Sequence, residues 1–251
     1  MSPRSSNSLA WKNRNEAGQK NGHITMTMAR LSANRHLCVR KHMMKCDPAL
    51  HSAMSRLEEL PSFPSAGSAQ SHFHSLARSI LSQQLAGKAA RTIHDRVKRL
   101  GHNGRFPTPG GFLGLQTEAL RSCGVSSAKE AAIRDLASNL DSRRLSLRGL
   151  KNKSDETIIN DLISVRGIGI WTAQMFLIFR LGRLDVLPTG DLGVQEGLRI
   201  LDDLANRPTA KELDVRGRDW APYRTFATWT LYRLVDEHRL NQSTMKERGS
   251  T

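Results

Sequence analysis

From Asp47 onward the apolar residues of this chain recur three and four positions apart, as in Phe73, Leu76, Ile80 and Leu81 and again in Ile93, Val97 and Leu100. Side chains at that spacing share one face of an α-helix, whereas a half-buried strand would need alternation by two, which the chain does not sustain. The register shifts around Gln83–Gly87, which predicts two helices joined near SQQLAG, and the Gly/Pro-rich segment GHNGRFPTPGGF that follows predicts a loop. The same spacing predicts helices over roughly 115–122, 127–140, 154–165, 171–182, 191–204, 209–215 and 220–238. There is no internal repeat at a fixed period, and the connections are short. An all-α fold is the economical reading.

At 251 residues the chain can bury a substantial core in one large domain or two small ones. Its 38 Lys and Arg against 23 Asp and Glu leave a net charge of +15, a surface that attracts polyanions and makes nucleic acid the leading partner. No run approaches the ~20 apolar residues of a membrane span, so no membrane role is expected. Cys38, Cys46 and Cys123 lie far apart without C-x-x-C spacing, which argues against a disulfide framework, a zinc site or a four-cysteine iron–sulfur cluster. No metal and no protein-bound cofactor is expected for catalysis.

Between Met1 and Lys45 nine Lys or Arg face the single acid Glu16, with no sustained apolar period. Residues 1–46 therefore read as a basic, disordered tail, 47–240 as the helical domain and 241–251 as a polar C-terminal tail. The basic stretch has no apolar h-region and is no secretory signal. Two further readings stay open: it resembles an organelle transit peptide in being Arg-bearing and acid-poor, and Met26 or Met28 would each serve as a later start.

LISVRGIGIWTA joins the apolar end of one helix, at Leu162, Ile163 and Val165, to a second helix opening with Trp171, Thr172 and Ala173. Between them Gly167 and Gly169 permit a tight turn and close backbone approach, and the N–H groups that open the second helix favour an anion such as a DNA phosphate. Ile168 is expected to point into the core and pin the turn. An ordinary helix corner with a glycine C-cap would also fit a bare G-x-G. Some twenty residues later Pro188 stops helical continuation, Thr189-Gly190 turn, and Asp191 stands at the entrance of an amphipathic helix. Asp is a preferred N-cap. Capping and catalysis are compatible, because donors on a carboxylate hold it in place and favour its charged form.

Taken together, SQQLAGKAA, CGVSSAK, VRGIGIWTAQMF, DVLPTGDLGV and WAPYRTFATW stand in the order found in the helix-hairpin-helix/Gly-Pro-Asp superfamily of DNA glycosylases, and the chain resembles its 3-methyladenine (alkylbase) branch over about 70–238. The resemblance implies a two-lobed helical fold with a central cleft, acting as a monomer on duplex DNA that carries damaged bases, in a DNA-containing compartment, whether bacterial cytoplasm or nucleus. It carries the catalytic Asp over to Asp191 and the hairpin glycines to Gly167 and Gly169, with Thr172 beside them. Where strand-cleaving relatives have a lysine this chain has Trp171, which implies a monofunctional enzyme without lyase activity. The C-terminal four-cysteine cluster of some relatives is missing here, and the hairpin would take at most a monovalent cation on its carbonyls. By the same resemblance Trp171, Met175 and Tyr232 face the base pocket, and Gln84, or else its neighbour Leu85, fills the gap left by the everted base. Lys88, Arg91 and Arg166 are candidate phosphate contacts.

Cleaving an N-glycosidic bond builds positive charge on the sugar, which a carboxylate held nearby stabilises. An N3- or N7-alkylated purine is already cationic and leaves without an acid, so one carboxylate suffices. Aromatic faces welcome such a base. Although aromatics make up only 5% of the chain, both tyrosines and two of its four tryptophans fall in WAPYRTFATWTLY, where Phe226 and Trp229 read as core. A non-catalytic helix-hairpin-helix DNA-binding protein, or a glycosylase for uracil or for oxidised or deaminated purines, are the competing readings.

Overall fold

The computed structural model describes residues 22–57, 59–63, 70–85 and 87–248. These hold twelve α-helices and no strand. In chain order they are α1 (Gly22–Cys46), α2 (Pro48–Arg56), α3 (His72–Ser82), α4 (Gly87–Arg99), α5 (Pro109–Leu113) and α6 (Thr117–Ser122). There follow α7 (Ser127–Asp141), α8 (Asp155–Ile163), α9 (Ile170–Phe176), α10 (Leu192–Leu201), α11 (Ala210–Arg216) and α12 (Arg224–Arg248). Most begin on a side-chain cap: Ser71, Ser126 and Ser154 each accept from the N–H three residues on, and Thr209 with Glu212 forms a reciprocal capping box. The chain divides into two compact units, one built from 68–181 and the other from the segments on either side of it.

In the 68–181 unit, α3 packs against α4, α7 and α9, and α5 lies along α7. Phe73, Leu76, Ile80, Val97, Phe112, Ile133, Leu136 and Phe176 form its buried core. The α5 turn falls inside the segment read as a loop. Pro109 is tolerated there because the first helical N–H needs no partner, and Thr108 caps the turn by accepting from Gly111 N at 3.1 Å. Lys129 on α7 donates to Leu81 O at 2.7 Å, satisfying a carbonyl at the end of α3.

The same unit buries a histidine pair. His74 Nε2 and His94 Nε2 lie 2.7 Å apart, so one neutral ring donates and the other accepts, and Phe106 stacks on His74 at 4.3 Å. Burial lowers the pKa of both, aided by the nearby charges of Arg78 and Lys98 and opposed at His94 by its bond to Asp95. In the unfolded chain each titrates near 6.5. The folded form therefore draws full stability from the pair above that pH and loses it as the pH falls below, where the unfolded chain binds protons the folded one refuses. We expect the melting temperature to fall by about 5 °C or more between pH 7.5 and pH 5. The decline should be shallower in His74→Leu/His94→Leu, which melts lower at pH 7.5; an equal slope in the two proteins would refute the assignment.

In the other unit, α1 packs on α2, and α10 and α12 lie together. The basic segment is thus helical from Gly22, and the reading of 1–46 as a disordered tail is corrected for the part described; residues 1–21 lie outside it. Its apolar signal is sparse, and among the side chains described over 33–46 only Val39 and Met43, one turn apart, are fully buried. Much of the remaining docking is polar side chain to backbone: Arg35 donates to Phe63 O, Arg40 to Met54 O, and the His42 ring meets Asp219 O at 2.9 Å. Asp47 is the junction. One oxygen caps α2 through Leu50 N, and the other accepts from Trp220 Nε1 and Arg216, both at 2.7 Å. The C-terminal tail likewise continues α12 to Arg248, with exposed side chains over 239–245.

Candidate active site

Asp191 lies in the unit that holds α10 and α12. The segment before it is fastened to the start of α12 by groups that the sequence shows only as threonines in an apolar stretch. Thr225 Oγ1 donates to Arg183 O at 2.8 Å and accepts from Val186 N, and Thr228 Oγ1 donates to Val186 O. Arg224 grips Asp185 through both oxygens, at 2.7 and 2.9 Å. Burial opposes the charge of Asp185, but the Arg224 hydrogen bonds and charge outweigh it and hold its carboxyl below the usual range. The Thr189-Gly190 turn is closed by Asp191 N on Pro188 O, and Gln195 on α10 reaches back to Thr189 O at 2.8 Å.

The turn delivers Asp191 as the N-cap of α10. Its Oδ1 accepts from Gly193 N at 2.7 Å and Val194 N at 3.0 Å, and its Oδ2 accepts the Tyr232 hydroxyl at 2.6 Å. The residue is 3% exposed. Three hydrogen bonds orient this carboxylate in a water-poor setting, where electrostatic fields reach neighbouring groups with little screening. Two glycines allow the arrangement. A Cβ on Gly193 would sit 2.9 Å from Tyr232 Cε1 and 3.0 Å from Asp191 Oδ1, and one on Gly197 would press into Leu231 O, 2.7 Å from its carbonyl carbon. One turn apart, they let α10 and α12 approach backbone to side chain. Phe226 and Trp229 are buried core, as their spacing predicts.

The hairpin belongs to the 68–181 unit. After α8 the chain turns at Gly167, whose φ of +77° suits glycine and where a Cβ would lie 2.7 Å from Ala132 Cβ on α7. Ile168 is buried, as expected. At Gly169 a Cβ would meet nothing within 4 Å, and this residue heads α9 without a side-chain cap. Arg166 is exposed and its N–H bonds Asp135 Oδ2 at 2.8 Å. Thr172 is buried, and its hydroxyl accepts from Gln83 at 3.3 Å while the same amide donates to Gly167 O at 3.1 Å. Thr172 thus braces the hairpin from within, its hydroxyl facing Gln83.

Gln83 ties the loop after α3 to the hairpin, a link that two glutamines in sequence do not reveal. Gln84 next to it is exposed with φ +56°, an unusual backbone for a side chain that is not glycine, while Leu85 is half-buried and Lys88 exposed. Trp171 and Met175 stand one turn apart on α9; Met175 is buried and Trp171 is 37% exposed, enough to meet a ligand.

Known proteins resemble this chain in sequence and in fold. The model of the HhH-GPD superfamily of base excision DNA repair proteins matches residues 77–222. DNA-3-methyladenine glycosylase 1 of Schizosaccharomyces pombe is 36% identical over 162 residues, 64% of this chain and 71% of that protein. The structure of S. pombe 3-methyladenine DNA glycosylase (Mag1) in complex with abasic DNA superposes with a TM-score of 0.70 at 31% identity, covering 78% of this chain and 95% of that one. A DNA-3-methyladenine glycosidase from Bacillus halodurans gives 0.67 at 36% identity over 78% of this chain and 87% of its own. With over half its length matched by the family model, and with the hairpin and the capped aspartate in place, the chain belongs to the HhH-GPD superfamily of base excision DNA repair proteins.

Proposed function

We propose that this chain is a monofunctional DNA glycosylase that everts an alkylated purine of the 3-methyladenine kind from duplex DNA and hydrolyses its N-glycosidic bond. The observation that carries the reading is the Asp191 carboxylate, oriented by two backbone N–H groups and the Tyr232 hydroxyl. As the C1′–N bond breaks, its electron pair passes to the base and neutralises the positive charge there. The sugar is left with oxocarbenium character, which the fixed anion stabilises. Water then adds at C1′ and gives its proton to solvent.

The remaining roles are those the family resemblance implies. Gln84 or Leu85 enters the stack vacated by the base. The Gly167–Gly169 turn, Arg166 and Lys88 hold backbone phosphates without reading sequence. Trp171 and Met175 offer a π-face and a polarizable thioether to the cationic base.

Two measurements test this. Methylated duplex DNA incubated with the protein should release 3-methyladenine; no base release at any salt concentration would favour a DNA-binding module without activity. Because position 171 carries an indole in place of an amine, borohydride should trap no covalent protein–DNA adduct, and a trapped band would overturn the monofunctional reading.

A further inference from the structure

We propose that Tyr232 is a positioning residue for this reaction, acting through Asp191 by its hydroxyl rather than on the base by its ring; the inference rests on the glycosylase reading above. The resemblance of the sequence places Tyr232 in the base pocket. The fold adds a contact with the carboxylate. The side chain is 2% exposed, an edge of the ring lies against Gly193, and the hydroxyl donates to Asp191 Oδ2 at 2.6 Å.

The division of labour at the carboxylate explains why this bond matters. Oδ1 is held by the two N–H groups of its own helix, and a second anchor on Oδ2 stiffens the last torsion, a soft two-fold coordinate that moves both oxygens. Oδ2 is held from α12, 41 residues away in sequence. An O–H···O⁻ bond of this length is of the strong, charge-assisted kind and sets the plane of the carboxylate. Misplacing a catalytic group by as little as an ångström costs up to about a hundredfold in rate. Loss of one of three fixing bonds is expected to cost about tenfold.

The test compares wild type, Tyr232→Phe, Asp191→Asn and the double variant by single-turnover base release from a duplex with one alkylated purine, and by affinity for an abasic-site duplex. Phe keeps the ring, so any stacking is retained. Tyr232→Phe should slow release about tenfold with abasic-site affinity unchanged, and in the Asp191→Asn background it should change the residual rate less than about twofold, as residues acting as a unit do. An unchanged rate in Tyr232→Phe, the same tenfold loss in both backgrounds, or affinity falling in step with rate would each overturn the proposal.

Gly193→Ala probes the contact from the other side. Its Cβ would crowd both Tyr232 and Asp191 Oδ1, and its cost in rate should be less than additive with that of Tyr232→Phe. A readout independent of activity comes from the scarcity of tyrosine: Tyr223→Phe leaves Tyr232 as the sole phenol of the chain. Its Raman doublet should be that of a strong hydrogen-bond donor and should change when Asp191 becomes Asn. A doublet indifferent to Asp191→Asn would sink the assignment, whereas an inactive wild type would speak against the glycosylase reading and leave this signature to be judged by itself.

Discussion

Asp191→Asn binds abasic-site duplex DNA as wild type does and releases alkylated base at least about 10²-fold more slowly, the loss expected when one preorganised electrostatic contributor is removed. The substitution is nearly isosteric, and the amide oxygen can still accept from Gly193 N and Val194 N, so the N-cap of α10 survives. The amide nitrogen meets the Tyr232 oxygen as a donor in place of an acceptor, and a hydroxyl can take either part. What disappears is the charge. Single-turnover base release, with melting temperature and abasic-site binding as controls, separates this from unfolding. Near-normal turnover would remove Asp191 from the site.

Gly197→Ala lowers stability by about 2–3 kcal/mol and base release with it, because the added methyl meets backbone that cannot move aside. Overpacking a close contact costs about 1–3 kcal/mol, and here the obstacle is the carbonyl of Leu231 rather than the end of a flexible side chain. For a chain of this size that corresponds to a drop of about 5–10 °C in melting temperature. Separating α10 from α12 also separates Asp191 from Tyr232, which is why activity should suffer beyond the loss of folded protein. Gly110→Ala is the control: a Cβ there would meet only Asp141 Oδ1, at 3.9 Å, and its melting temperature should stay within about 2 °C of wild type. Equal melting temperatures for the two variants would show that α10 and α12 have room to give.

Most of the helix pattern between 115 and 238 was legible because its signals are local. Apolar spacing predicts 127–140 and 209–215, where α7 occupies Ser127–Asp141 and α11 Ala210–Arg216, each started by a cap one residue before. Where the apolar signal is thin it fails: α1 docks through Val39, Met43 and long polar side chains that seek backbone carbonyls elsewhere, and no periodicity records that. The family resemblance and the cap role of Asp191 were legible for the same local reason, since motif, turn and N-cap each lie within a dozen residues.

What holds the second oxygen of Asp191 was not legible. The resemblance assigns Tyr232 to the base pocket by its ring, and only the crossing of α10 and α12 turns its hydroxyl onto the carboxylate. Gly193 and Gly197 read as weak points in a helix, yet each is small because a residue of α12, Tyr232 or Leu231, needs the space. Thr172 reads as a hairpin residue toward DNA and Gln83 as part of a helix junction, and the fold bonds the two to each other. By itself the sequence determined most helices between 115 and 238 and which carboxylate heads α10, since these depend on neighbours along the chain. The tertiary structure alone decided which groups orient that carboxylate, because a hydrogen bond or a steric limit between distant residues exists only once packing has brought them within a few ångströms.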